Sequence, residues 1–197
     1  MVDVLFLRHG KTKGNLEGRY IGRTDEDLCE LGREQILSMD YKFPAEQVFS
    51  SPLKRCIQTA KLIYPDRTPI ILPNFRETDF GLFENKNYEE LNGRKDYQEW
   101  IDSNGTLPFP KGESTKEVSI RVESAFLEMM KICEDNQFTS IACIIHGGTL
   151  MSLMDRYAFP KRDYFEWQVK NGCGYTAEVE KVKDVHYRIR IIDRVCP

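Results

Sequence analysis

Two short, mostly apolar runs stand out, and each ends on His-Gly. Residues 2–7 (Val-Asp-Val-Leu-Phe-Leu) lead into Arg8-His9-Gly10, and residues 140–145 (Ser-Ile-Ala-Cys-Ile-Ile) lead into His146-Gly147. Such a run, stopped by a glycine turn, predicts a buried strand. Residues 46–50 and 69–72 read as two further short strands. Leu31, Ile36, Leu37 and Met39 suit one helix. Pro52 can open another, because the first helical turn has no use for its missing N–H. Leu53, Ile57, Ala60 and Ile63 then follow close to a 3.6 period and stop before Pro65. Ser114-Thr115 ahead of Glu117 reads as a helix start, continued by Val118, Val122, Ala125, Phe126, Met129, Met130 and Cys133 on one face. Residues 149–157 suit the next helix. Residues 173–179 and 185–192 alternate as two antiparallel strands do. The polar, glycine-containing stretch 11–28 reads as a loop, and 74–112 as helical pieces and loops laid over one end of the domain.

Strands that alternate with helices predict an α/β fold, a three-layer α/β/α sandwich around a mostly parallel sheet. We expect a single domain over 1–197, with 85–112 as part of an inserted helical and loop cap. Ligands of such sheets bind beyond the carboxyl ends of the strands. Both His-Gly turns fall there, so two histidines distant in sequence are expected on one rim.

Composition narrows the options. The 197 residues carry 28 Lys+Arg against 31 Asp+Glu, a formal net charge of -3, which gives no basic excess for nucleic acid. No apolar run approaches a membrane span. The start of the chain has neither the basic nor the long apolar region of a signal peptide, so the expected location is cytoplasmic. Six cysteines include no Cys-x-x-Cys pair, which removes zinc and thioredoxin-type sites. All six are read as reduced thiols that pack as small hydrophobes. Only three histidines are present. His186 falls in a strand pattern and reads as structural.

The chemistry sits in four pieces. His9, at a strand end, can act as a nucleophile if a partner fixes its tautomer, and Arg8 beside it offers a planar fork for phosphate oxygens. Arg55 lies on the first turn of a helix that begins at a strand end, where the helix field favours an anion. The loop with Glu77, Asp79 and Glu84 among aromatics can desolvate a carboxyl and make it a general acid, and the residues alone leave all three open. His146 can donate to charge that develops on a transferring phosphoryl group. Singly, each has a plain structural explanation.

The ordered set resembles the histidine phosphatase superfamily, also called phosphoglycerate mutase-like. The shared signatures are Leu7-Arg8-His9-Gly10-x-Thr12-x-x-Asn15 and Ser51-Pro52-Leu53-x-Arg55-x-x-Gln58-Thr59-Ala60. They continue with Arg76-Glu77-x-Asp79-Phe80-Gly81, Gly112-Glu113-Ser114 and His146-Gly147-Gly148. The resemblance implies a phosphomonoester hydrolase with His9 as the nucleophile that becomes phosphohistidine. It implies that Arg8, Arg55 and His146 hold the phosphoryl oxygens, that Asn15 assists, and that Glu77 donates the proton. Thr12, Gly22, Arg23 and Gly147 are implied as substrate contacts. No metal and no cofactor are implied, and the partner is a small phosphorylated metabolite, as in the branch of small phosphatases that includes α-ribazole phosphatases. A homodimer stays open. Phe83 and Cys56 depart from residues common in the family, beside the chemistry.

Competing patterns fail on their surroundings. Gly10-Lys11-Thr12 imitates a P-loop ending, but Leu5 stands where that motif needs glycine. Asp25-x-Asp27 follows a loop, not the strand an aspartate nucleophile needs. Ser51-x-x-Lys54 lacks a Lys-Thr-Gly partner. A mutase using the same His9 is the live rival, and the short spacing from Glu77 to His146 favours hydrolysis. An inactive binding member would be expected to lack His9 or an arginine, and both are here.

Overall fold

The strand that ends in Arg8 is buried on both faces of the sheet, which explains its near-continuous apolar sequence. In the computed structural model, which describes residues 1–183 and 186–196, the strands are β1 (Val2–Arg8), β2 (Gln47–Ser50), β3 (Ile70–Ile71), β4 (Ser140–Ile145), β5 (Ala158–Phe159), β6 (Gly174–Lys183) and β7 (His186–Val195). They form one sheet in the order β3-β2-β4-β1-β6-β7-β5. The β3-β2-β4-β1 half is parallel, and β6 joins β1 antiparallel. The helices are α1 (Lys13–Leu16), α2 (Glu30–Ser38), α3 (Lys54–Ile63), α4 (Tyr88–Leu91), α5 (Lys95–Asp102), α6 (Thr115–Asn136) and α7 (Gly147–Tyr157). The mixed α/β class expected from the sequence is the observed one. The short β5, which pairs with β7, had no readable pattern in two residues. Val185, the first residue of the last expected strand, lies outside the described residues.

Alternation along β1 divides the core. Leu5 and Leu7 face Val48, Ala142, Ile144 and the α3 residues Cys56 and Ala60. Val4 and Phe6 face the opposite layer, with Phe126 and Met129 of α6 and Leu150 and Leu153 of α7. Helices therefore cover both faces of the sheet, and the strand ends stay free at one rim.

Local chemistry sets the helix starts. Ser114 and Glu117 form a reciprocal capping box at the head of α6, as their spacing predicts. Within the expected 11–28 loop, Thr12 and Asn15 form a second box that starts the single turn α1. The polar residues there serve the backbone as well as the solvent.

One cysteine expectation is overturned. Cys173 and Cys196 are joined in a disulfide, with Cα atoms 4.7 Å apart, while Cys29, Cys56, Cys133 and Cys143 are free. The physical reason is register: Gly174 of β6 pairs with Val195 of β7, which sets the flanking cysteines opposite one another. Spacing along the chain does not reveal that pairing.

A buried arginine ties α6 to the segment that carries Glu77. Arg121 donates through Nη1 to the carbonyls of Asn74 (3.0 Å) and Arg76 (2.7 Å). Its Nε and Nη2 grip Glu113 at 2.7 and 2.8 Å, and Glu113 in turn accepts from the Asp79 amide. Replacing Arg121 with leucine would leave the half-buried Glu113 carboxylate with Arg76 and the Asp79 amide only, and would take this donor from the Asn74 carbonyl. We expect a loss of about 3 kcal/mol in urea unfolding, the scale for breaking a buried pair by removing one partner. An unchanged urea midpoint would contradict this role.

Candidate active site

β1 and β4 run in register, with Leu7 beside Ile144 and Arg8 beside Ile145. One step further, the His9 amide donates to the Ile145 carbonyl at 3.0 Å. The two histidines thus meet at the rim, with ring centroids 5.1 Å apart and planes at 67°.

His9 is 3% exposed and lines a cavity of about 730 Å³. Its Nδ1 lies 2.7 Å from the Gly10 carbonyl oxygen. That oxygen can only accept, so Nδ1 holds the proton and Nε2 keeps a lone pair. Burial pushes the His9 pKa well below its ordinary value, and the charges of Arg55 and Arg8 push the same way, against the Gly10 hydrogen bond. The imidazole is therefore neutral near pH 7, the form in which nitrogen can attack.

The turn that carries His9 is held from behind. Asn171 Nδ2 donates to the carbonyls of His9 (3.1 Å) and Gly10 (3.4 Å) and to Asn15 Oδ1 (3.1 Å). The Gly172 amide is shared between the Arg8 and His9 carbonyls. The Gly10 amide donates to Thr59 Oγ1. Asn171 was not anticipated, because nothing in Lys170-Asn171-Gly172 marks it as more than a turn before a strand.

Arg8 lines the same cavity and donates through Nη1 to the Val169 carbonyl at 2.8 Å. Its Nε is buried and has no partner, which leaves a charged N–H available to an anion. Gly147 gives it room: a Cβ there would sit 3.3 Å from Arg8 Cζ and Nε.

Arg55 and His146 are both fully buried and lie beneath His9, not along the cavity wall. Arg55 donates through Nε to His146 Nδ1 (3.3 Å) and through its terminal nitrogens to the carbonyls of Thr24, Gly22 and Ile21. With Nδ1 accepting, His146 must carry its proton on Nε2, which points to Ser51 Oγ at 2.6 Å. Burial foremost, then the Arg55 charge, holds the His146 pKa well below the ordinary range. Together the two form a polar floor that carries the Arg55 charge.

Of the three carboxyls left open by the sequence, Glu77 alone lines the cavity. One of its oxygens accepts from the Thr78 amide at 2.8 Å, the other from the Gly148 amide in the first turn of α7 at 3.1 Å. Asp79 is paired with Arg23 (3.0 Å). Glu84 accepts from the Gly22 and Thr24 amides and from the Thr24 hydroxyl. Both serve the loop.

Of the expected substrate contacts, Asn15 and Gly147 line the cavity, whereas Thr12, Gly22 and Arg23 stand outside it. Thr12 is buried as a helix cap. Gly22 is pressed so close to the Thr78 carbonyl that a Cβ would lie 2.0 Å from it. Arg23 spends its charge on Asp79. Among the described residues, no group of three His, Cys, Asp or Glu side chains is placed to hold a metal ion.

This arrangement matches known proteins along most of the chain. Residues 4–189 match the profile of the histidine phosphatase superfamily, branch 1. An adenosylcobalamin/alpha-ribazole phosphatase of Escherichia coli (strain K12) is 27% identical over 184 residues, 89% of each chain. Among solved structures, a phosphoglycerate mutase from Thermus thermophilus aligns with a TM-score of 0.72 at 28% identity, covering 100% of this chain and 99% of that one. A phosphoserine phosphatase in complex with 3-phosphoglyceric acid, from Entamoeba histolytica, shares the fold with a TM-score of 0.79 at 24% identity, covering 100% and 98%. With His9, His146 and two arginines assembled at one rim, the chain belongs to the histidine phosphatase superfamily.

Proposed function

We propose that this phosphoric monoester hydrolase acts on a small phosphorylated metabolite by passing the phosphoryl group through His9 Nε2. The observation that carries the reading is a neutral His9, with its lone pair fixed at Nε2, beside the unpartnered N–H of Arg8 in one cavity.

Phosphoryl transfer asks for alignment and charge more than for strong acids or bases. His9 Nε2 attacks phosphorus while the bond to the leaving oxygen breaks. Glu77 gives its proton to that oxygen as the alcohol departs. Water then attacks the phosphohistidine, Glu77 takes a proton from it, and the N–P bond breaks to release phosphate and neutral His9. Arg8 holds the phosphoryl oxygens from the side, with Asn15 and the head of α7 at Gly147. Arg55 supplies positive field from below, with neutral His146 beside it, and both reach the oxygens directly if the Arg55–His146 hydrogen bond opens. Segment 85–112 caps the site. The small-molecule substrate is the only partner this reading needs, with no role for nucleic acid or membrane. No described helix is long and apolar enough to cross a bilayer.

A mutase, the activity named for the Thermus structure, would return the phosphoryl group to its substrate. It would isomerise 3-phosphoglycerate without net phosphate release.

The geometry leads to three measurements. Replacing His9 with alanine should lower phosphate release by at least about a thousandfold while the circular dichroism spectrum is kept, since the covalent route is lost. Wild-type-like turnover would overturn the assignment. Glu77→Gln should slow alkyl phosphates by about a hundredfold to ten-thousandfold. The loss in kcat/KM, which reads formation of the phosphoenzyme and not its hydrolysis, should be far smaller for 4-nitrophenyl phosphate, whose leaving group needs no proton, and equal losses of kcat/KM on both would remove Glu77 as the acid. The reactive form of His9 is the deprotonated one, and its pKa lies well below 6.5. As pH falls through 6.5, kcat/KM should therefore hold, once corrected for ionisation of the substrate phosphate, and decline only further into acid. An acid limb centred at or above 6.5 would contradict the burial argument.

A further inference from the structure

The cavity is much larger than a phosphate requires. Beyond His9 and Arg8, its wall is aromatic on two sides. Tyr20, Phe80, Trp100 and Phe109 form one continuous surface, with ring centroids 5.3 Å apart for Tyr20–Phe80, 5.0 Å for Phe80–Phe109 and 4.9 Å for Trp100–Phe109. Across from them stand Tyr164 and Phe165. Phe165 is 58% exposed, so the core does not account for its position. The two walls meet over Gly105, where an added Cβ would lie 3.3 Å from Trp100 and 3.7 Å from Phe165.

Charge on the same surface is equally one-sided. Among the described residues, Arg8 and Arg19 are the only arginines or lysines that line it. Arg8 faces the phosphate position. Arg19 is already spent on Glu17 (2.6 Å), Glu90 (2.7 Å) and the Asn85 carbonyl (2.6 Å). The lining acids are Glu77 and Asp155, and the Asp155 carboxylate makes no hydrogen bond or ion pair among the described residues. Once phosphate is seated, a second anion on the substrate would find no free cation and would face an unpaired carboxylate. Desolvating an unmatched charge is costly, whereas a planar ring gains on both aromatic walls.

We propose that the leaving group of the natural substrate carries an aromatic or bulky apolar portion and no carboxylate. Trp100, Phe109 and Phe165 select it, and Asp155 discriminates against acids. This inference rests on the phosphatase reading and narrows it, setting the chain apart from enzymes of phosphoserine or phosphoglycerate.

The test uses phosphomonoesters of primary alcohols, so that the leaving oxygens are chemically alike: 2-phenylethyl phosphate, glycerol 1-phosphate, O-phosphoserine and 3-phosphoglycerate. We expect kcat/KM for 2-phenylethyl phosphate to exceed that for glycerol phosphate by about tenfold or more, and the two carboxylate esters to fall below glycerol phosphate by a similar factor. Trp100→Ala and Phe165→Ala should each reduce the phenylethyl-to-glycerol ratio. An equal loss on both esters would mark a merely structural role and overturn the assignment. Asp155→Lys should raise 3-phosphoglycerate relative to glycerol phosphate several-fold. If phosphoserine or 3-phosphoglycerate proves the best substrate of the wild type, the phosphatase reading stands and this inference falls. If no ester releases phosphate and no acid-labile phosphoenzyme forms, the phosphatase reading itself falls.

Discussion

Parallel pairing of β1 with β4 sets Arg8 beside Ile145, and the next backbone hydrogen bond, from His9 to the Ile145 carbonyl, brings both histidines to one rim. Everything at the site depends on this register. A slip of one residue would turn Leu5 and Leu7 into the wrong layer and carry His9 away from the cavity. The slip is opposed by the core itself, because Leu5 and Leu7 belong to one cluster and Val4 and Phe6 to the other. The apolar alternation that stabilises the sheet is thus also what aligns His9.

Electrostatics supplies the second layer. Arg55 is fully buried, yet among the described residues no carboxylate hydrogen-bonds to it. Its charge is solvated by the carbonyls of Ile21, Gly22 and Thr24 and by His146. An unmatched buried cation is costly to fold around, and it stays useful because the deficit is of the sign an incoming phosphate removes. Burial foremost, and then the same field, keeps His9 unprotonated. In the proposed reaction, one guanidinium would both favour the phosphate and disfavour protonation of His9.

Much of this was legible in the chain. The His-Gly strand ends, the helix start at Ser114 and the order of the motifs lead to the fold and to His9, Arg8, Arg55 and His146. What was not legible depends on contacts between distant segments. Asn171 matters only because its turn lies against the Arg8–Gly10 carbonyls. Cys173 and Cys196 meet only through the β6–β7 register. The residues alone left Glu77, Asp79 and Glu84 open, and the resemblance singled out Glu77, the one of the three that lines the cavity. Thr12, Gly22 and Arg23 share the polar character of ligand contacts, but the backbone and Asp79 claim them first.

The clamp of Asn171 and Gly172 on the carbonyls of Arg8, His9 and Gly10 bears on the covalent cycle proposed for His9. A covalent route asks one atom to be attacker in the first half and departing group in the second. If the turn relaxed after accepting the phosphoryl group, the second half would start from a different geometry and meet its own barrier. Pinned from three sides, the His9 turn behaves as a fixed anvil, so rearrangement falls to the alcohol that leaves and the water that takes its place.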